Sequence, residues 1–290
     1  MEIIAAYGPW LIGLAMIFGL YMTWGIGAND VANAMGTSVG SGAITVKQAI
    51  IIAAIFEFAG AIIAGGNVTA TIRKGIIDPS SIEGTPEILV FGMLAALLSA
   101  AIWLMIASIK GWPVSTTHSI VGAIVGFTVA GIGPEAVQWG KISGIVASWV
   151  VSPMLGGFIA LLLMLSIRKF IFNTDSPFDS AKRVGPFYVF LVGFIISLVT
   201  MFKGLKHLNI DMSVEMSFLV AAIFGLVIAI IGKILINRVK MEPSQDRKFH
   251  YASVEKVFVP MMIFTACAMA FAHGSNDVAN GIGPLAAVVS

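Results

Sequence analysis

Apolar residues along this chain come in long blocks. They do not follow the one-sided stripe of a surface helix or the alternation of a half-buried strand. Blocks of roughly 17 to 27 residues occupy 3–24, 44–65, 87–109, 141–167, 185–202, 214–236 and 257–273. Each is long enough to cross the hydrocarbon core of a bilayer as a helix. Three further segments are shorter or interrupted by glycine: 25–43, 111–133 and 274–290. The longest polar connections are 66–86, 168–184 and 237–256, none long enough for a separate soluble domain. A membrane barrel would show short alternating strands instead, so the pattern predicts an all-α polytopic membrane protein.

Composition sharpens this reading. Only 11% of the 290 residues are charged and 58% are hydrophobic, against about 25% charged in soluble domains. With a mean hydropathy of +0.96, a soluble, secreted or disordered chain is excluded. The net charge of +2 is too small to suggest nucleic acid. Cys267 is the only cysteine, and its apolar neighbours read as packing.

Loop charge suggests sidedness. Arg168, Lys169, Lys182 and Arg183 lie in 168–184, and Arg238, Lys240, Arg247, Lys248 and Lys256 in 237–256; only Lys203 and Lys206 lie in 203–213. The two basic loops are two spans apart and are expected on the cytoplasmic side. If Arg73 and Lys74 share that side, segment 111–133 must enter and leave by one face, as a re-entrant hairpin.

The most informative feature is a duplication. Gly27-Ala28-Asn29-Asp30-Val31-Ala32-Asn33-Ala34-Met35-Gly36 returns as Gly274-Ser275-Asn276-Asp277-Val278-Ala279-Asn280-Gly281-Ile282-Gly283. The copies differ only at Ala28/Ser275, Ala34/Gly281 and Met35/Ile282, and each follows an apolar run. Duplicated, glycine-interrupted polar segments are the mark of inverted-repeat secondary transporters, whose discontinuous helices meet near the midplane. The blander reading is a polar loop at a membrane boundary. A boundary loop has no reason to keep Asn, Asp and Asn in register in both copies.

Asp30 and Asp277 are carboxylates in apolar surroundings with no Lys or Arg nearby in sequence. An ionised carboxylate is costly there unless partnered. A bound cation is the natural partner, with Asn29, Asn33, Asn276 and Asn280 as neutral oxygen donors. Hard oxygen ligands suit Na+, and a proton would also remove the charge.

A second motif is Gly111-Trp112-Pro113-Val114-Ser115-Thr116-Thr117-His118-Ser119. Pro113 suits the start of a helix, and Ser115, Thr116 and Thr117 place hydroxyls beside unpaired helix N-terminal N–H groups. That arrangement can hold an anion. One hydroxyl would suffice as an ordinary cap; three, followed by a histidine, favour binding. Glu57 stands mid-run between apolar neighbours and is expected to be a functional acid, although it could merely brace a helix. His118 and His273 could relay protons or serve as hydrogen-bonded structural residues.

The two Gly-x-Asn-Asp-Val-Ala-Asn strings, Pro113 to His118, and Thr71-Ile72-Arg73-Lys74-Gly75 together resemble the inorganic phosphate transporter (PiT) family over essentially the whole chain. The resemblance implies inverted repeats, re-entrant hairpins and symport of inorganic phosphate with Na+ or H+. It also implies that Asp30, Asn33, Asp277 and Asn280 line the ion and phosphate site. By the same likeness Ser115, Thr116 and Thr117 bind phosphate, and Glu57 is a functional acid. Family members carry a second hairpin of the Ser115–Thr117 kind, whose place here would fall near residue 360. The 290-residue chain is therefore expected to be a fragment.

The expected organisation is a first repeat over 1–167, connecting spans and basic loops over 168–256, and the start of a second repeat over 257–290. The expected activity is secondary active transport of phosphate by alternating access, in a multi-pass protein of the plasma (inner) membrane. Phosphate, a coupling Na+ or H+ and lipid are its partners, with a homodimer permitted and no cofactor. Sulfate is the competing substrate; because it cannot donate hydrogen bonds, a site rich in carboxylates favours phosphate. A cation channel or exchanger would not need Ser115 to Thr117. An intramembrane aspartyl enzyme would not need the flanking asparagines.

Overall fold

With no water in the hydrocarbon core to satisfy N–H and C=O groups, a spanning segment must pair its backbone internally. The chain does so as helices. A computed structural model describes residues 2–82, 86–204, 212–241 and 251–289. The principal helices are α1 (Glu2–Gly40), α2 (Val46–Ala64), α3 (Gly66–Lys74), α4 (Pro86–Lys110), α5 (Thr116–Gly131), α6 (Trp139–Ile167), α7 (Pro177–Val199), α8 (Val214–Asn237), α9 (Tyr251–Asp277) and α10 (Ala279–Val289). Among the described residues the only β pairing is an isolated bridge between Ile77 and Val137. Among the described residues seven helices are long and apolar enough to cross a membrane, and each carries most of one of the seven apolar blocks. The chain is an all-helical, multi-pass membrane protein.

Two expectations are corrected. Segment 25–43 is not a separate, unwound piece: α1 continues through Asn29, Asp30 and Asn33 as one helix of 39 residues, about 58 Å long. Of the two copies of the repeated motif, only the second is interrupted, at Val278 between α9 and α10. Nor does 111–133 enter and leave by one face. After Gly111, with φ of +67°, the chain runs without regular structure to an extended Ser115 and then forms α5, which lies antiparallel along α4. Trp112 N–H donates to Ala107 O at 2.8 Å at one end, while Gly131 stands beside Ile88 at the other. The hairpin is made by α4 and α5 together, so the expectation, counted from a cytoplasmic 66–86, that 111–133 is re-entrant by itself is not met. Lys206, Arg247 and Lys248 lie outside the described residues, as do the side chains of Lys203, Arg73 and Lys74.

The chain forms two packing units. The first comprises residues 1–34, 55–146 and 270–290. Its core is Met22 and Ile26 of α1, Ile72 of α3, Met93, Leu97 and Leu104 of α4, and Ile120 and Ile124 of α5. At its base, Asp78 N–H donates to Ala136 O at 2.8 Å and Gln138 N–H to Ile76 O at 2.9 Å, stitching the end of α3 to the segment that follows α5.

The second unit comprises residues 35–54 and 147–269. It is dominated by the pairing of α7 with α8. Ala181, Gly185, Val189 and Gly193 bury one face of α7, and Ser217, Ala221, Gly225 and Ala229 one face of α8. Lipid is as apolar as leucine, so membrane helices associate by close packing, which small residues at four-residue spacing allow. Lys182 crowns the pair, donating to Asn237 O at the end of α8 (3.5 Å) and lying 4.7 Å from the Phe178 ring.

Candidate functional site

The site lies within the first unit and is assembled from α1, α2, α5, α9 and α10. Two glycines admit the closest approach. Gly60 of α2 abuts the Phe271 carbonyl, and Gly274 of α9 abuts the Glu57 backbone, each without room for a Cβ. This contact of backbones brings Glu57 to His273, with Nδ1 of the imidazole 2.9 Å from Glu57 Oε1. The other ring nitrogen, Nε2, lies 3.3 Å from Asp277 Oδ2 and 3.9 Å from Asp30 Oδ2. Three carboxylates from three helices thus surround one imidazole, all with side chains 10–18% exposed.

The hydroxyls of α5 meet this cluster from one side. Thr117 donates to Asp277 Oδ1 at 3.2 Å and accepts from Asn280 Nδ2 at 3.0 Å. Asn280 also donates to Asp277 Oδ1 (3.3 Å) and, more weakly, to the buried Thr116 hydroxyl (3.4 Å). Asn280 is wholly buried, yet its Oδ1 has no hydrogen-bond partner among the described residues. A buried carbonyl oxygen with no donor is unfavourable by itself and suits a cation ligand.

Not every expected residue joins the cluster in the same way. Ser115 caps α5, accepting from His118 N–H at 3.2 Å, so the ordinary-cap reading describes that hydroxyl. Asn29, expected to ligate a cation, turns its carboxamide to the α4–α5 turn. Asn33 is exposed on α1, one turn from Asp30, and Asn276 is exposed and reaches Asp277 Oδ1 at 3.4 Å. The duplicated asparagines therefore occupy unlike surroundings: Asn280 is buried against α5, whereas its counterpart Asn33 is exposed.

His273 is one of the two histidines, with His118, whose role the sequence left undecided. Its position four residues before Asp277 was a usable signal, since such residues share a helix face. Its contact with Glu57 spans 216 residues and left no local trace.

The cluster fits a cation by its chemistry. One ligand atom from each of Asp30, His273 and Asp277 lies within 4.8 Å of the others. The carboxylate oxygens and Asn280 Oδ1 are hard donors of the kind that hold Na+. Charge counting adds a constraint. An imidazole carries at most one positive charge, so three ionised carboxylates leave at least two negatives to be balanced by bound cations or protons.

Comparison with known proteins agrees with this architecture. A "Putative phosphate permease" of Haemophilus influenzae is 50% identical over 293 residues, covering 100% of this chain and 69% of the relative. The "Inorganic phosphate transporter 2-1, chloroplastic" of Arabidopsis thaliana is 39% identical over 291 residues, covering 95% of this chain and 50% of the relative. A solved structure described as "The sodium-dependent phosphate transporter" superposes with a TM-score of 0.87 at 41% identity, covering 96% of this chain and 67% of that one. The chain thus spans about half to two thirds of the length of these relatives. The signature of the phosphate transporter family matches residues 26–290, and on that match and these identities the chain belongs to the phosphate transporter family.

Proposed function

We propose that the protein moves inorganic phosphate across a membrane by symport with a cation, Na+ in the first instance, and that Asp30, Asp277, Glu57 and Asn280 hold the coupling ions beside the α5 N-terminus. The observation that carries this reading is the convergence of three carboxylates on His273 within reach of the Thr117 hydroxyl, with Thr116 joined to the cluster through Asn280. Phosphate is itself anionic. At an effective dielectric constant of about 20, each unbalanced negative charge about 4 Å away opposes it by about 4 kcal/mol. Two such charges would make binding prohibitively weak. Cations must therefore enter before or with the anion, so coupling follows from the electrostatics of the site. The α5 N-terminal N–H groups and the hydroxyls of Thr116 and Thr117 supply anion-binding donors without a basic side chain. Asp30 or Asp277 can accept a hydrogen bond from phosphate that sulfate cannot offer.

The sequence division into a first repeat over 1–167, a connector over 168–256 and a second repeat beginning at 257 supports alternating access by movement of one repeat against the other. The name of the solved relative supports Na+ over H+.

The test is uptake of radiolabelled phosphate by the full-length protein in proteoliposomes, comparing inward Na+, K+ and pH gradients of equal size and challenging with excess sulfate. Na+-dependent uptake that resists sulfate is expected, and Asp30→Asn should lose the cation dependence and most of the uptake. Wild-type-like Na+ activation in that variant would remove Asp30 from the cation site. Uptake driven only by the pH gradient would transfer the coupling to protons.

A further inference from the structure

Asn29 is next to Asp30 in α1 yet does not face the carboxylates. Consecutive helical residues point about 100° apart, and this sends its carboxamide to the turn between α4 and α5. There it accepts from Val114 N–H at 3.3 Å and donates to Trp112 O at 3.1 Å, with Ser108 Oγ a further partner at 3.3 Å. The turn needs these contacts. Residues 112–115 are irregular between two helices; Trp112 N–H closes back on Ala107 O and Ser115 O receives Ser119 N–H, but the Trp112 carbonyl and the Val114 N–H have no backbone partner among the described residues. Pro113, between the two bonded residues, has no N–H to offer. The Asn29 carboxamide pairs with this stretch as the peptide group of a neighbouring strand would.

The chemistry is specific. An amide side chain presents a donor and an acceptor together, and asparagine does so on a short stem. A carboxylate in its place would still accept from Val114 but would confront the Trp112 carbonyl with negative charge. Ser115, Thr116 and Thr117 follow at once, so this two-point strap sets where α5 begins relative to Asp30.

We propose that Asn29 is a positioning residue for the anion-binding end of α5 and not a cation ligand. This rests on the reading above that Thr116 and Thr117 receive phosphate. Loss of the strap should weaken phosphate and spare the cation.

The experiment uses the full-length protein in proteoliposomes, with Asn29→Ala and Asn29→Asp matched to wild type for reconstituted amount and size-exclusion profile. Both variants should raise the KM for phosphate by about tenfold, the combined weight of two modest hydrogen bonds, while half-saturating Na+ stays within about twofold of wild type. Asn29→Asp should be as impaired as Asn29→Ala, although it adds a charge that a cation site would favour. Wild-type phosphate KM in either variant, or a shift in Na+ half-saturation with phosphate KM unchanged, would overturn the proposal. A second measurement needs no transport. In a Cys267→Ala background, Val114→Cys should be alkylated several times faster when Asn29→Ala is added; an unchanged rate would likewise overturn the strap. Absence of saturable phosphate uptake by the unmutated protein would refute the phosphate reading, and the alkylation rates would still decide the role of Asn29.

Discussion

Gly27 and Gly274 hold the same place in the two copies of the repeated motif, yet an alanine at each should have opposite consequences. A Cβ on Gly274 would meet the oxygen, Cα and carbonyl carbon of Glu57 inside van der Waals contact, whereas a Cβ on Gly27 meets nothing within 4 Å. The atoms that crowd Gly274 are all backbone, so no side-chain rotation relieves them. To restore ordinary contact, α2 and α9 would have to part by about 1.5 Å. That would carry the Glu57–His273 contact from 2.9 Å to beyond hydrogen-bond range. Overpacking of this kind costs about 1–3 kcal/mol, and a hydrogen bond to a charged group is worth about 1.5–3 kcal/mol. Gly274→Ala should therefore lower the thermal unfolding temperature in detergent, weaken Na+ activation and reduce uptake to a small fraction. Gly27→Ala should be neutral, or stabilising by up to about 1 kcal/mol from helix propensity. The assay is a paired one: thermal unfolding and Na+-dependent phosphate uptake on both variants and wild type. Equal behaviour of the two variants, or wild-type Na+ activation in Gly274→Ala, would refute the claim that this backbone contact sets the cluster.

Two further outcomes are expected. Thr117→Val removes the hydroxyl shared by Asp277 and Asn280 with little change in volume. Leaving buried polar partners less satisfied costs about 1–3 kcal/mol, so the phosphate KM measured by uptake should rise about tenfold or more, and an unchanged KM would remove Thr117 from the anion site. Gly225→Val should destabilise by about 1–3 kcal/mol, because a Cβ there already stands 3.1 Å from Phe190 and Phe194. Thermal unfolding in detergent should show the loss while half-saturating Na+ in the surviving protein is unchanged.

The helices were legible because hydropathy reports which solvent a segment meets, and each of the seven apolar blocks became one long helix. The continuity of α1 was not legible. Gly25, Gly27, Asn29 and Asn33 are poor helix formers, each by roughly 0.5–1 kcal/mol relative to alanine, and they argue locally for a break. Packing of Gly25 against Leu104 and the Asn29 strap are long-range contacts that outweigh that preference. Asp30, Asp277 and Glu57 were recognisable as isolated carboxylates in apolar runs, since burying charge is costly whatever the fold. What brings them to one histidine is the crossing of α2 and α9 at two glycines, and nothing local to either helix announces it. Asn29 and Asp30 show the same limit at the smallest scale. They are adjacent in sequence and similar in shape, and only helical geometry reveals that they serve different neighbours.

The α4–α5 hairpin is fastened at both ends. The bonds between 76–78 and 136–138 hold its base, and Asn29 holds its turn. In mechanical terms α5 is a beam clamped at both ends, not a cantilever with a swinging tip. Such a beam resists bending far more than it resists being carried along with its supports. A movement that opens or closes the Thr116–Thr117 end must therefore displace α1 and the end of α3 with it, or else break one of the clamps.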